Sequence, residues 1–295
     1  MGRRDQMIPE ELKNRLEASY GTLFSDILHG YGAKRAVTLR ANTLKTTAEQ
    51  VAAVLTGNEI VFERPAWYPD AFILPSADEE DVRQLLLYAD GGLYLQSLSS
   101  MLPPLVLDPQ AGENVLDMTA APGGKTTELL ALSGGKALIT ACERDGARFA
   151  RMQFNLSRQG ASRVNAVRTD ALMLDDFLRF DKILLDAPCT GTGTITEGAR
   201  IRFSADYLAK CVRAQKKLIG KAIRLLKKGG TLVYSTCSLL KEENEGAIDE
   251  ALRLGAKLLT ADIPSEIPRL PSREGTATIL PTQVYEGFFV AKLTK

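Results

Sequence analysis

Histidine is nearly absent: His29 is the single one among 295 residues. That excludes most acid–base schemes built on imidazole, a Ser-His-Asp triad among them. It also removes the usual ligand spacing for structural zinc, so no metal is expected. His29 itself is expected at the surface or in a turn. No Cys-x-x-Cys pair occurs; the cysteines stand at 142, 189, 211 and 237. Met1-Gly2-Arg3-Arg4-Asp5 leads into a polar segment rather than an apolar one, so no signal peptide is expected. The four thiols are then expected reduced, in a cytoplasmic protein. No apolar run approaches the roughly 18 residues of a membrane span. Net charge is only +1, which excludes a globally basic nucleic-acid coat. There is no internal repeat and no low-complexity tract.

The remainder is ordinary globular composition, 45% hydrophobic and 25% charged. The length suits one large domain and a small one. Residues 7 to 29 read as a helix ended by Gly30-Tyr31-Gly32. Ala36–Arg40 reads as a strand, residues 48–55 as a helix, and 59–62 and 71–74 as two further strands. Residues 1–88 are therefore expected to form a small α+β, RRM-like domain. In residues 89–295 strand and helix alternate. Val115–Met118, Ala137–Cys142, Val164–Val167, Lys182–Asp186 and Thr231–Ser235 read as strands, and Gly287–Leu293 as a terminal one. Such alternation predicts a doubly wound α/β fold, a mostly parallel, seven-stranded Rossmann-like sheet.

In such sheets ligands bind beyond the carboxyl ends of the strands. The turn after the first strand, Asp117-Met118-Thr119-Ala120-Ala121-Pro122-Gly123-Gly124-Lys125-Thr126, ends like a phosphate-binding loop. That motif needs glycine where this chain has Thr119, and GxGxxG is absent too. What remains is a small-residue turn where backbone approaches a ligand closely. Glu143 ends the second strand, about 20 residues on, where a carboxylate takes ribose hydroxyls. Asp170 follows the third strand and is placed to accept from an exocyclic amine. An adenosine-bearing cofactor without a phosphate-gripping fingerprint points to S-adenosyl-L-methionine.

Two cysteines follow strand ends: Cys189 in Asp186-Ala187-Pro188-Cys189, and Cys237 in Ser235-Thr236-Cys237-Ser238. Both thiols are expected to face one cleft. Thiols so placed suit covalent catalysis, which splits one hard step in two, and the residues alone leave open which of them attacks. Cys142 and Cys211 are expected as buried packing residues.

These motifs resemble, in order, those of the Sun-type (NSun) RNA cytosine-5 methyltransferases, from about Thr38 to Leu293. Thr38–Lys45 resembles that family's N-terminal signature and Tyr94–Met101 its pre-sheet helix. Ala120–Thr126, Asp186–Cys189 and Ser235–Ser238 match its most specific motifs. The resemblance implies binding of S-adenosyl-L-methionine by Thr119, Ala120, Ala121, Pro122, Gly123, Gly124, Lys125, Glu143, Asp170 and Asp186. It implies Cys237 as nucleophile and Cys189 as the residue that helps release product, although the Pro-Cys nucleophile of DNA cytosine-5 enzymes would nominate Cys189. The implied target, carbon 5 of cytosine, is a poor nucleophile; a thiolate that adds to carbon 6 makes it enamine-like. Asp186, carrying or sharing a proton, is suited to hydrogen-bond N3 of that ring. It departs at Thr119, where the family usually has cysteine. The implied partner is RNA, ribosomal or transfer, with ribosomal slightly preferred; the protein is expected to be a monomer. No appended RNA-binding domain is expected past Lys295.

RNA grip is expected from two basic features. One is the cluster Lys34, Arg35, Arg40 and Lys45. The other is a helix over Asp206–Lys228 carrying Lys210, Arg213, Lys216, Lys217, Lys221, Arg224, Lys227 and Lys228 against one acid. A cytidine deaminase is excluded, because position 192 is Thr192 and His29 lacks the HxE acid. An amino-group RNA methyltransferase on the same fold, or a non-catalytic RNA-binding protein, is the alternative.

Overall fold

The computed structural model describes residues 8–198 and 203–295. The chain divides into two compact units: one holds the chain up to Arg35 together with Leu185–Lys295, the other Ala36–Leu184.

The first unit opens with α1 (Glu10–Tyr20) and α2 (Phe24–Tyr31), separated by one 3-10 turn. The single helix expected over residues 7 to 29 is thus broken, at Gly21 with φ 55°, a conformation that glycine tolerates. Leu12, Leu16, Phe24, Ile27 and Tyr31 form an apolar stripe. It packs on Ile195, Leu208, Leu239, Leu240 and Leu270 of the same unit.

The second unit begins with an antiparallel sheet, order β2-β1-β3. Its strands are β1 (Val37–Ala41), β2 (Ala71–Leu74) and β3 (Leu93–Leu95). Between β1 and β2 lies α3 (Ala48–Gly57), opened by a reciprocal Thr47–Gln50 capping box. Short α4 (Glu79–Arg83) and α5 (Leu86–Ala89) precede β3. Leu39, Val51, Leu55, Phe72, Leu74 and Leu93 make the core here. The strand expected over 59–62 does not form. Glu59 takes a left-handed φ of 58°, and the segment reaches the sheet only through a bridge from Glu63 to Ile73. The helix expected over Tyr94–Met101 begins later. Tyr94 is a strand residue, and α6 (Leu98–Leu107) starts where Ser97 caps Ser100 N–H.

Next come β4 (Asn114–Asp117), α7 (Gly124–Leu132), β5 (Leu138–Cys142), α8 (Gly146–Arg158), β6 (Asn165–Val167) and β7 (Phe180–Asp186). In this unit β7-β4-β5-β6 are parallel neighbours, with Asp117 opposite Ala141 and Leu184, and Cys142 opposite Val167. Their carboxyl ends therefore share one edge.

The chain returns to the first unit within β7. It continues through α9 (Ala205–Leu225), β8 (Leu226–Thr236), α10 (Glu245–Arg253), β9 (Lys257–Leu259), β10 (Arg269–Leu270), β11 (Thr276–Ile279) and β12 (Phe288–Thr294). The β10-β11-β12-β8 run is antiparallel, and β9 also pairs with β12. After α6 the described residues form nine strands, β4 to β12, rather than the seven expected; β9, β10 and β11 were not among the strands read from the sequence. The basic helix ends at Leu225, not Lys228. Leu226 is buried and extended, and Lys227 and Lys228 lie in β8. Among the described residues no helix is long and apolar enough to cross a membrane.

Candidate active site

In the second unit, β4 ends at a buried Asp117 whose Oδ2 accepts the Thr126 hydroxyl at 2.7 Å. That bond pins the Thr119–Lys125 turn at both ends. Gly123 has φ 102°, and a side chain on Gly124 would collide with the Tyr94 ring, whose Cε1 lies 2.8 Å from an added Cβ. Both glycines are thus required by the backbone path. The turn enters α7 through its amide N–H groups, with Thr127 N–H donating to Gly123 O at 2.9 Å. Lys125 turns its ammonium to the Ser100 hydroxyl, 2.6 Å away.

Arg40 braces this turn from beneath. It is fully buried, donating to Gly124 O at 3.0 Å, Thr127 Oγ1 at 2.6 Å and Gln96 Oε1 at 3.0 Å. Its Nε stands 3.8 Å from Glu128, whose carboxyl burial pushes up to about 8 against the pull of Arg40. The phosphate-contacting role expected of Arg40 is therefore overturned, because no solvent reaches it. The rest of that cluster disperses. Arg35 donates to Ile195 O and pairs with Glu286 at 3.7 Å. Lys45 is exposed but tied to the Asp90 and Arg158 carbonyls, and Lys34 is exposed. On α9, Lys210, Arg213, Lys216, Lys217 and Arg224 are exposed as expected, whereas Lys221 is buried.

Glu143, at the end of β5, is buried. It accepts from Asp145 N–H at 2.8 Å and faces Arg148 at 3.2 Å. Asp170, beyond β6, caps the next turn through Leu172 N–H and lies 3.5 Å from Arg144. Thr119, Glu143 and Asp170 thus follow three parallel strands at their common edge. A backbone-lined turn, one ribose-type carboxylate and one further acid at successive strand ends fit S-adenosyl-L-methionine. These residues would hold its methionyl, ribose and adenine parts.

In the first unit, β7 ends at Asp186, whose Oδ1 accepts the Ser235 hydroxyl at 2.7 Å. Ala187 N–H donates to Ser235 O at 2.8 Å. These bonds bring the Cys189 turn against the end of β8. The two sulfurs, Cys189 Sγ and Cys237 Sγ, lie 3.2 Å apart, within hydrogen-bonding reach, and neither is in a disulfide. The hydrogen bond to Cys237, then burial, then the charges of Cys237 and Glu243 raise the Cys189 thiol well above its usual range. Two thiolates at this distance repel strongly, so the pair holds one proton tightly. Cys142 and Cys211 are buried packing residues, and burial pushes Cys142 up to about 12. His29 is exposed in the last turn of α2.

Glu243 was not singled out in the sequence. It is fully buried and accepts Thr190 N–H at 2.9 Å, the Thr190 and Ser238 hydroxyls, and Gln215 Nε2 at 3.1 Å. Gln215 also donates to Pro188 O at 2.9 Å. Asn244 accepts from Thr236 at 2.6 Å and donates to Ser238 O at 2.9 Å. One buried carboxylate, its neighbour and one glutamine therefore lock both cysteine turns together. The signal was weak: Glu242-Glu243-Asn244-Glu245 reads as a solvated acidic run.

This fold, with its strand-end acids, is that of a Rossmann-like methyltransferase carrying an N-terminal ferredoxin-like domain. Residues 104–294 match the family model described as 16S rRNA methyltransferase RsmB/F. Residues 8–79 match that for the RsmF/B-like ferredoxin-like domain. The chain belongs to the RsmB/F family. It is 36% identical over 269 residues to ribosomal RNA small subunit methyltransferase F of Shewanella sp. (strain ANA-3), covering 87% of this chain and 56% of that protein. It thus spans little more than half the length of such relatives. A methyltransferase homolog from Pyrococcus horikoshii superposes with TM-score 0.86 at 34% identity, over 98% of this chain and 95% of that one. NSun6 from the same organism, crystallised with SFG, has TM-score 0.88 at 24% identity, over 98% and 99%, a likeness of fold.

Proposed function

We propose that this protein methylates carbon 5 of a cytosine in RNA, ribosomal RNA by preference, through a transient bond between Cys237 and carbon 6. The observation that carries the reading is the 3.2 Å approach of two free thiols at the ends of β7 and β8. An amino-group methyltransferase has no use for such a pair.

Bound S-adenosyl-L-methionine would supply the methyl group from its sulfonium sulfur and leave as S-adenosylhomocysteine. Cys237 Sγ, as thiolate, adds to carbon 6 and pushes the ring's electron pair toward carbon 5, which makes that carbon able to take the methyl group. Asp186, carrying or sharing a proton, donates a hydrogen bond to the N3 edge as charge builds there. Loss of the carbon 5 proton to water then restores the double bond and expels the Cys237 thiolate. Cys189, which keeps its proton in the resting pair, serves this second half by hydrogen-bonding the departing sulfur, so the pair is recovered with its one proton. The target base is unpaired or flipped to reach the thiols. We also assign residues 1–88 and the exposed basic face of α9 to RNA contact, and the protein to the cytoplasm, as a monomer.

Radiolabel transfer from methyl-labelled cofactor to RNA, with bisulfite sequencing of the product, tests the reaction. A methylated cytosine lost in Cys237→Ala is expected. Label recovered on an exocyclic amine would overturn the reading in favour of amino-group chemistry.

A further inference from the structure

A concave site lies in the Ala36–Leu184 unit; of the residues expected to hold the cofactor, Pro122 is in its lining and Thr119, Glu143 and Asp170 are not. It is a cleft of about 400 Å³ walled by α4, α5 and α8, and its lining includes Arg83, Tyr88, Tyr94, Arg151, Phe154 and Arg158. No acid lines it.

Several side chains of this cleft are open to a ligand. Phe154 is 63% exposed, although α8 offers a buried face through Met152 and Leu156. Phe154 stands three residues after Arg151 and four before Arg158, so all three share one face of the helix. Arg151 makes no ion pair or hydrogen bond among the described residues, while Arg158 lies 4.5 Å over the Tyr88 ring and 5.7 Å from that of Phe154. Arg83 donates to the Tyr88 hydroxyl at 2.8 Å and is balanced outside the cleft by Glu79 at 2.6 Å. The floor belongs to the cofactor turn: Asn155 Nδ2 donates to Pro122 O at 2.8 Å and reaches the Tyr94 hydroxyl at 3.4 Å.

Exposed aromatic faces interleaved with arginines, in a groove without acids, match the chemistry of a single-stranded polynucleotide. Bases stack on the rings and phosphates meet the guanidinium groups. An anionic small molecule would need the arginines but not an exposed phenyl ring. We propose that this cleft binds a nucleotide of single-stranded RNA outside the target base, its base against Phe154 and its phosphate on Arg151. The inference rests on the reading of RNA as substrate, and it adds a site that holds the strand while the target is at the thiols.

The test is fluorescence anisotropy with a short fluorescein-labelled single-stranded oligoribonucleotide of mixed sequence, over a salt series. Phe154→Ala weakens binding about tenfold with little change in salt slope, and Phe154→Trp restores it. Arg151→Gln weakens binding and lowers the slope of log K against log salt by about one. Both side chains are exposed, so melting temperatures stay unchanged. Wild-type protein that binds the oligonucleotide equally with or without these substitutions overturns the inference alone. Wild-type protein that binds no RNA overturns the substrate reading and the inference with it. Sodium polyphosphate that displaces RNA from wild type and from Phe154→Ala with equal ease shows an anion site without base recognition, and also overturns the inference.

Discussion

Thr190 and Ser238, each one residue past a cysteine, donate their hydroxyls to the same oxygen of Glu243. This shared acceptor sets the register of two turns that come from different strands. It also sets a negative charge beside Cys189, where it helps the thiol keep its proton.

Replacing Glu243 separates these two effects. Glu243→Ala leaves Thr190, Ser238 and Gln215 without their buried acceptor, and urea unfolding is expected to show a loss of roughly 3 kcal/mol or more. Glu243→Gln keeps the shape and removes the charge. Alkylation of Cys189 by iodoacetamide, followed peptide by peptide across pH, is then expected to start at lower pH than in wild type. An unchanged alkylation profile would remove the electrostatic part of this argument.

The paired sulfurs make a second prediction. Cys237→Ala abolishes methyl transfer and any covalent RNA adduct. Cys189→Ala accumulates an adduct that survives denaturing gel electrophoresis. The reverse pattern would exchange the two roles. Independently of RNA, Cys237→Ala removes the largest cause of the raised Cys189 value, so Cys189 alkylates at lower pH in that variant.

Beneath the cofactor turn, Glu128 makes stability depend on pH. Its folded value, pushed up to about 8 by burial, exceeds the unfolded one, so the folded state binds the extra proton. The contribution is therefore present at acid pH and is lost as pH rises through about 8. Glu128→Gln mimics the protonated form. Its melting temperature relative to wild type is expected to climb between pH 5 and 8, and a pH-independent difference would refute the assignment.

Gly123 is the fourth test. At φ 102° any other residue is strained, so Gly123→Ala is expected to cost about 1–3 kcal/mol in stability. The strain falls on the turn proposed to face the cofactor. Calorimetric titration with S-adenosylhomocysteine should show weakened binding, while Gly134→Ala, in an open loop at φ 61° after α7, serves as the strained control outside the Thr119–Lys125 turn.

The basic residues illustrate how unevenly sequence reports on structure. Lys210, Arg213 and Lys217 fall on one helical face, and α9 exposes them as periodicity implies. Arg40 sits among other basic residues in the chain, yet it is wholly buried, because its partners Gln96, Gly124 and Thr127 arrive from other elements. Short strands fared like Arg40. β4, β5 and β7 carry their own apolar runs, whereas β3 and β10 are extended only because β1 and β11 pair with them.

By itself the sequence determined the alternation of strands and helices, the glycine turn after β4, the acids at the strand ends and the two cysteines beyond β7 and β8. Each of these is written within a few consecutive residues, where backbone preference and hydrophobic period act locally. Only the tertiary structure decided that the sulfurs meet, that Glu243 rather than Glu242 goes inside, and that Arg40 braces the turn instead of facing solvent. Those outcomes depend on which distant groups share one buried space, and the energy of a buried polar group is set by partners that local sequence does not name.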